Sequence, residues 1–152
     1  MDQPRVAIVI GSKSDADVMA ECSAVLKELG ISCETRVLSA HRSPDRLREF
    51  VLEAPSRGVE VFVAAAGMAA ALPGVIAAHT TLPVIGVPIV KAGMSGLDAL
   101  LSISQMPPGV PVACMALNGA RNAGLFAAAI LALQDKAVAS ALDRYRREQS
   151  SA

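Results

Sequence analysis

The sequence predicts an α/β fold in three layers: a five-stranded parallel sheet in the order 2-1-3-4-5, helices on both faces and a C-terminal helix. Three observations carry that reading. Short, uninterrupted aliphatic runs recur along the chain, as expected of strands buried on both faces. Between them lie segments with apolar residues at helical spacing. Glycine and proline fall at the junctions. The 152 residues read as one domain, 1–152, without repeat, linker or low-complexity segment.

Val6–Ile10 is the first strand, ending at Gly11. A helix follows with Val18, Met19, Cys22, Val25, Leu26 and Leu29 on one face, acidic residues Asp15 and Asp17 in its first turn, and Gly30 closing it. Ile31–Leu38 alternates, with Ile31, Cys33, Thr35 and Val37 facing one way, which marks a half-exposed edge strand. Ser43-Pro44-Asp45 reads as N-cap, first helical position and acidic first turn. The helix it opens runs to about Ser56 with Leu47, Phe50, Val51 and Ala54 inward. Val61–Ala65 is the third strand and Val84–Val87 the fourth, with a short Ala-rich helix between them. A helix near Leu97–Ser104, a fifth strand at Val112–Ala116 and a long helix from about Ala120, breaking near Gln134-Asp135, complete the order. Right-handed crossovers and the edge-like second strand select the order 2-1-3-4-5, a flavodoxin-like or Rossmann-like arrangement.

Composition excludes several function classes. Lys and Arg number 14 and Asp and Glu 14, so no net charge draws nucleic acid or an anionic membrane. Aromatics are 3% and Trp is absent, which leaves no stacking platform for single strands. Val61 to Val90 carries no formal charge, yet Gly67, Pro73, Gly74, Pro83, Gly86 and Pro88 would break a membrane-spanning helix repeatedly. A second uncharged stretch runs from Ala99 to Ala120. Two such stretches exceed what one small core needs and point to a subunit interface. Cys22, Cys33 and Cys114 form no C-x-x-C pair and read as small buried hydrophobes in a reducing compartment. The apolar run at Val6–Ile10 is too short for a signal peptide, so the cytoplasm is expected. With two histidines and no clustered ligands, no metal is expected.

Open parallel sheets bind ligands beyond the carboxyl ends of their strands, near the topological switch. Three turns lie there. Gly11-Ser12-Lys13-Ser14-Asp15 offers hydroxyls and free N–H groups at a helix start, suited to an anion; equally, Ser14 reads as an N-cap and Asp15 as a dipole partner. It matches neither the P-loop nor the dinucleotide fingerprint. Ser39-Ala40-His41-Arg42-Ser43 places a proton-transfer group beside a bidentate phosphate ligand, or, more blandly, a loop His and a solvated Arg. Ala66-Gly67-Met68-Ala69 lets a ligand approach the backbone closely, or packs a helix tightly on the sheet. His79 reads as a packing or capping residue, and no nucleophile is arranged for covalent catalysis.

Together Gly11-Ser12-Lys13-Ser14-Asp15, Ser39-Ala40-His41-Arg42 and Leu72-Pro73-Gly74 resemble segments of a known family, as do Leu82-Pro83-Val84-Ile85-Gly86-Val87-Pro88 and Ser102-Ile103-Ser104-Gln105-Met106-Pro107. The family is that of the catalytic subunit of bacterial phosphoribosylaminoimidazole carboxylase, the N5-carboxyaminoimidazole ribonucleotide mutases of purine biosynthesis. The match runs in order from about Val6 to Leu133. The resemblance implies transfer of a carboxylate from the exocyclic nitrogen to ring carbon 4 of an aminoimidazole ribonucleotide, without metal, nucleotide or organic cofactor. It implies that Ser12 and Arg42 hold the phosphate, Asp15 the ribose hydroxyls, and that His41 is the general acid/base. Gly11, Ser14, Ser39, Ala40, Gly67, Met68, Ala69 and Leu72 are the remaining expected substrate contacts. The third turn and Gln105-Met106-Pro107 would wall in the released CO₂. The resemblance also implies a homo-octamer and a functional link to an ATP-dependent carboxyaminoimidazole ribonucleotide synthetase.

Arg42 and the Gly67-Met68-Ala69-Ala70 turn side with the mutases rather than with CO₂-using aminoimidazole ribonucleotide carboxylases, which carry Lys after the active-site His. Bacterial mutases read Gly-Gly-Ala-Ala-His-Leu-Pro-Gly where this chain has Gly67-Met68-Ala69-Ala70-Ala71-Leu72-Pro73-Gly74, so a second His cannot be carried over. Gly-Met also occurs in a related pyridine-mononucleotide carboxylase, against which Ser-Ala-His-Arg and Gln-Met-Pro argue. A sugar-phosphate-binding regulator on the same scaffold would keep Ser12 and Arg42 but have no need of His41.

Overall fold

In the computed structural model, which describes residues 3–151, five parallel strands form one sheet in the order β2-β1-β3-β4-β5. β1 (Val6–Ile10) pairs Val6 with Cys33 of β2 (Cys33–Val37) on one side and with Val61 of β3 (Val61–Gly67) on the other. β3 pairs Phe62 with Val84 of β4 (Val84–Ile89), which in turn pairs Ile85 and Gly86 with β5 (Ala113–Cys114).

Alternation along the strands sends their side chains into two cores. Val6, Ile8, Ile10, Val63, Ile85 and Val87 meet α1 (Ala16–Glu28), α5 (Ala120–Ala132) and α6 (Lys136–Ser150). Ala7, Val9, Phe62 and Ala64 meet α2 (Pro44–Glu53), α3 (Leu72–Ala77) and α4 (Leu97–Ser104). Burial on both faces is why β1, β3 and β4 carry no charged residue, since a lone charge placed there would go unpaired. The charge-free stretch from Val61 to Val90 is thus strand, turn, short helix and strand. Among the described residues no helix is long and apolar enough to cross a membrane.

Several boundaries differ from expectation. β3 and β4 each run two residues further, to Gly67 and Ile89, carrying the sheet up to the cavity described below. β5 shrinks from the expected Val112–Ala116 to two residues. Pro111, lacking an N–H, lies just ahead of it, and the chain then leaves β4, still joined by Met115 N–H donating to Gly86 O, Asn118 N–H to Pro88 O and Val90 N–H to Asn118 Oδ1. α2 stops at Glu53 and tightens into a 3₁₀ turn over Ala54–Arg57 around Pro55. In β2 the alternation fades: Cys33 and Glu34 are half-buried and Thr35, Arg36 and Val37 are exposed, because this edge strand outruns its helical cover. Glu34 turns inward to accept from Arg57 at 2.8 Å. Gly30 ends α1 with a left-handed φ of 73°.

Of the cysteines, expected all to be buried, only Cys22 is; Cys33 and Cys114 are half-buried, and all three are free. α5 and α6 break at Asp135 as predicted, where its carboxylate caps α6 by accepting from the N–H groups of Ala137 and Val138. Those bonds, that to Val138 foremost, and the Arg5 guanidinium hold the Asp135 carboxyl below its ordinary range.

Candidate active site

The turn after β1 begins at Ser12, whose extended backbone and side chain cap a 3₁₀ turn over Lys13–Asp15. Ser12 Oγ accepts from the Ser14 N–H and from Ser14 Oγ at 3.1 Å. Ser12, not Ser14, is therefore the capping residue. Asp15 occupies the N-cap position of α1 but makes no side-chain cap bond. It is only 2% exposed and is the one buried charged side chain among the described residues.

The turn after β2 is held by serine hydroxyls. Ser43 does not cap α2 with its side chain. Its Oγ instead accepts from the Ser39 N–H and donates to the Ser39 carbonyl, each at 3.1 Å. Ser39 Oγ accepts from the Arg42 N–H at 3.1 Å and from Arg42 Nε at 3.2 Å. Arg42 Nη2 then donates to the Gly11 carbonyl at 2.9 Å. The guanidinium thus bridges the first and second turns, with its remaining N–H donors open to solvent. His41 beside it is exposed and makes no hydrogen bond among the described residues, so its imidazole is free to meet a ligand.

The turn after β3 folds tightly: Ala70 N–H donates to the Gly67 carbonyl at 3.0 Å. Two of its residues adopt left-handed backbone, Met68 at φ 58° and Ala70 at φ 43°. L-residues accept this region at a cost of about 1–2 kcal/mol, which is the physical reason a glycine is expected at position 68. Met68 itself is 60% exposed, and Ala70 is buried.

All three turns line one cavity of about 400 Å³ at the carboxyl edge of the sheet, and it reaches Gly11, Ser12, Asp15, Ser39, Ala40, His41, Arg42, Gly67, Met68, Ala69 and Leu72. Ser14 touches it through the side-chain network rather than from its wall. A neighbouring recess continues past Arg42 to Lys13 and Ser43. The Gln105–Pro107 loop, expected as a wall, does not line the cavity. Met106 packs instead over Gly74, where a Cβ would come 3.1 Å from its Sδ. Among the described residues no group of three potential metal ligands gathers anywhere.

Sequence reasoning missed Lys91. It follows β4 and lines the cavity, where its ammonium pairs with the Asp15 carboxylate and donates to Ser14 Oγ at 3.1 Å. The signal was present: Lys91 is the first charge after thirty uncharged positions, at the end of a central strand. A larger groove of about 720 Å³ lies between α5 and α6. Arg121 Nε and Gln149 Nε2 there both donate to Tyr145 OH, at 2.9 and 3.4 Å. Among the described residues the groove is lined by no histidine or carboxylate side chain, so the smaller cavity is where proton-transfer and anion-binding groups converge.

That cavity joins a free imidazole, an arginine with unused donors, serine hydroxyls at a helix start and a buried carboxylate. Such a set has the chemistry to hold a phosphorylated, hydroxylated ligand and to move a proton on it. Comparison with known proteins shows the family. Residues 5–152 match the family model described as AIR carboxylase. The chain is 50% identical over 145 residues to an N5-carboxyaminoimidazole ribonucleotide mutase of Pyrococcus abyssi, covering 95% of this chain and 83% of that protein. To the mutase of Brucella melitensis it is 51% identical over 147 residues, covering 95% and 91%. The crystal structure of Treponema denticola PurE superposes with a TM-score of 0.89 at 28% identity, covering 97% of this chain and 92% of that one.

Proposed function

The chain belongs to the AIR carboxylase family, and from that premise we propose that its cavity isomerises N5-carboxyaminoimidazole ribonucleotide to the carbon-4 carboxylate. The observation that carries this reading is the meeting of His41 and Arg42 with Ser12 and Asp15 in one cavity, from turns some thirty residues apart in the chain. Ser12 and Arg42 take the phosphate, Asp15 accepts from the ribose hydroxyls, and the small residues of the third turn let the aminoimidazole lie close to the backbone.

The reaction balances on a single proton. As the bond between the exocyclic nitrogen and the carboxyl carbon breaks, protonated His41 gives its proton to that nitrogen and CO₂ is released. Carbon 4 then attacks the CO₂ with the electron pair of the ring enamine. Neutral His41 removes the proton from carbon 4, restoring the aromatic ring and its own starting state. Keeping CO₂ beside its acceptor is a proximity effect, to which the small residues of the third turn contribute by letting the ring lie close to the backbone. The enzyme works as an octamer in the cytoplasm, fed by an ATP-dependent synthetase that makes the N5-carboxy substrate.

The test is a turnover assay with N5-carboxyaminoimidazole ribonucleotide in one tube and aminoimidazole ribonucleotide with bicarbonate in the other. Rapid formation of the carbon-4 carboxylate from the first alone is the expected result. Preference for the second identifies a CO₂-using carboxylase, and silence in both overturns the assignment.

A further inference from the structure

A carboxylate buried at a ligand site calls for a polar or charged partner, because a polar group left unpaired at that depth is costly. Asp15 finds its partner in Lys91, 76 residues away in the chain. The pairing is unequal across the carboxylate. Oδ1 takes the ammonium of Lys91 and lies 3.5 Å from Ser14 Oγ. Among the described residues no donor reaches Oδ2.

The route of the Lys91 side chain is itself built into the fold. Its stem crosses the end of β3 over Gly67, where a Cβ would come 2.7 Å from Lys91 Cε, 2.9 Å from Cγ and 3.0 Å from the carbonyl of Ile89. Gly67 has no left-handed backbone to require a glycine, so it is the missing side chain that matters there. Gly67 at the end of β3 and Lys91 just past the end of β4 thus cooperate to bring one cation to one carboxylate.

Resting on the ribonucleotide reading above, we infer that Lys91 is a positioning residue for sugar recognition: by occupying Oδ1 it fixes the Asp15 carboxylate and reserves Oδ2 for a ribose hydroxyl of the substrate. Lys91 also offsets the charge of Asp15, which would otherwise repel the phosphate and carboxylate of an anionic ligand.

The experiment measures binding of aminoimidazole ribonucleotide and of its 2′,3′-dideoxy counterpart by calorimetry, with thermal melting to report folding. A hydroxyl bonded to a charged acceptor distinguishes the two ligands by at least about tenfold in the parent protein. Lys91→Met and Lys91→Gln, which keep the stem and lose the charge, bring that ratio to within about threefold of unity. Lys91→Arg restores it. Gly67→Ala, which displaces the stem without touching the ammonium, lowers it as well.

A purely structural lysine would lower stability or weaken both ligands alike, leaving the ratio intact. An undiminished ratio in folded Lys91→Met or Lys91→Gln therefore overturns the inference. So does a parent protein that turns the substrate over yet binds both ligands equally, in which case the mutase assignment survives alone. A folded parent protein that neither binds these ligands nor turns over N5-carboxyaminoimidazole ribonucleotide removes both.

Discussion

His41 sits in the cavity without a hydrogen-bonding partner among the described residues, while Arg42 beside it is held at the backbone N–H and Nε by Ser39 and at Nη2 by Gly11. The loop thus fixes the binding group and leaves the proton-transfer group free. Replacing His41 by Asn should leave calorimetric binding of aminoimidazole ribonucleotide within about threefold while lowering kcat roughly a hundredfold to ten-thousandfold. Unchanged turnover would remove His41 from the mechanism. Cys22 makes a different prediction. Burial pushes its thiol from the ordinary 9.0 up to about 12. Because the fold favours the neutral thiol, its contribution to stability is complete below about pH 9 and is lost as pH rises toward 12. In that window the parent protein should lose stability relative to Cys22→Ala, with an added slope of up to about 1.4 kcal/mol per pH unit. Parallel alkaline melting curves for the two proteins would contradict the assignment.

Among the helices, α1 and α5 pack most extensively, and Gly124 is a point of close approach. A Cβ there would fall 2.5 Å from Val25 Cγ1 and 3.0 Å from the Cys22 carbonyl oxygen. Alanine is the better helix former by about 1 kcal/mol, but the clash involves backbone that cannot step aside. Gly124→Ala should therefore destabilise the protein by about 1–3 kcal/mol in denaturant melts, where a surface helix glycine would give a gain. The elements also show what a single sequence discloses. Val6–Ile10 and Val84–Val87 are legible as central strands because burial on two faces removes every charge. The His41-Arg42 turn is legible because Ser43-Pro44-Asp45 marks the helix that follows it. Lys91 was marked only as the first charge after a long uncharged stretch; its meaning depends on Asp15, which only the parallel register of β1, β3 and β4 brings within reach. The left-handed backbone of Met68 and the reduced β5 were not legible, both being set by what neighbouring strands leave room for. The Ser43 hydroxyl shows a further limit: local signals marked it as a cap, and the loop took it for Ser39 instead.

For the whole molecule, several large apolar side chains lie on the outside, most of them beyond the two charge-free stretches, whose strands β3 and β4 are buried in the sheet. Leu133 is 83% exposed, and Leu97, Leu101 and Phe126 are exposed as well. The proposed octamer gives these side chains something to pack against. Sedimentation of the purified protein should therefore show one species of eight chains that persists on dilution to the working concentration. A stable monomer would leave that surface bare and remove the octamer from the proposal.

The sheet order has a consequence for how the molecule comes into being on the ribosome. β1 is synthesised first but lies inside the sheet, between β2 and β3. The cavity is lined by residues scattered from Gly11 to Lys91. A nascent chain that has not yet delivered Lys91 thus holds most of the walls but leaves Asp15 without its cation. Substrate stabilises only the form it binds. It therefore gives no help to the early intermediates, whose bare strand edges are the ones exposed to aggregation, and its protection begins only after β4 has docked.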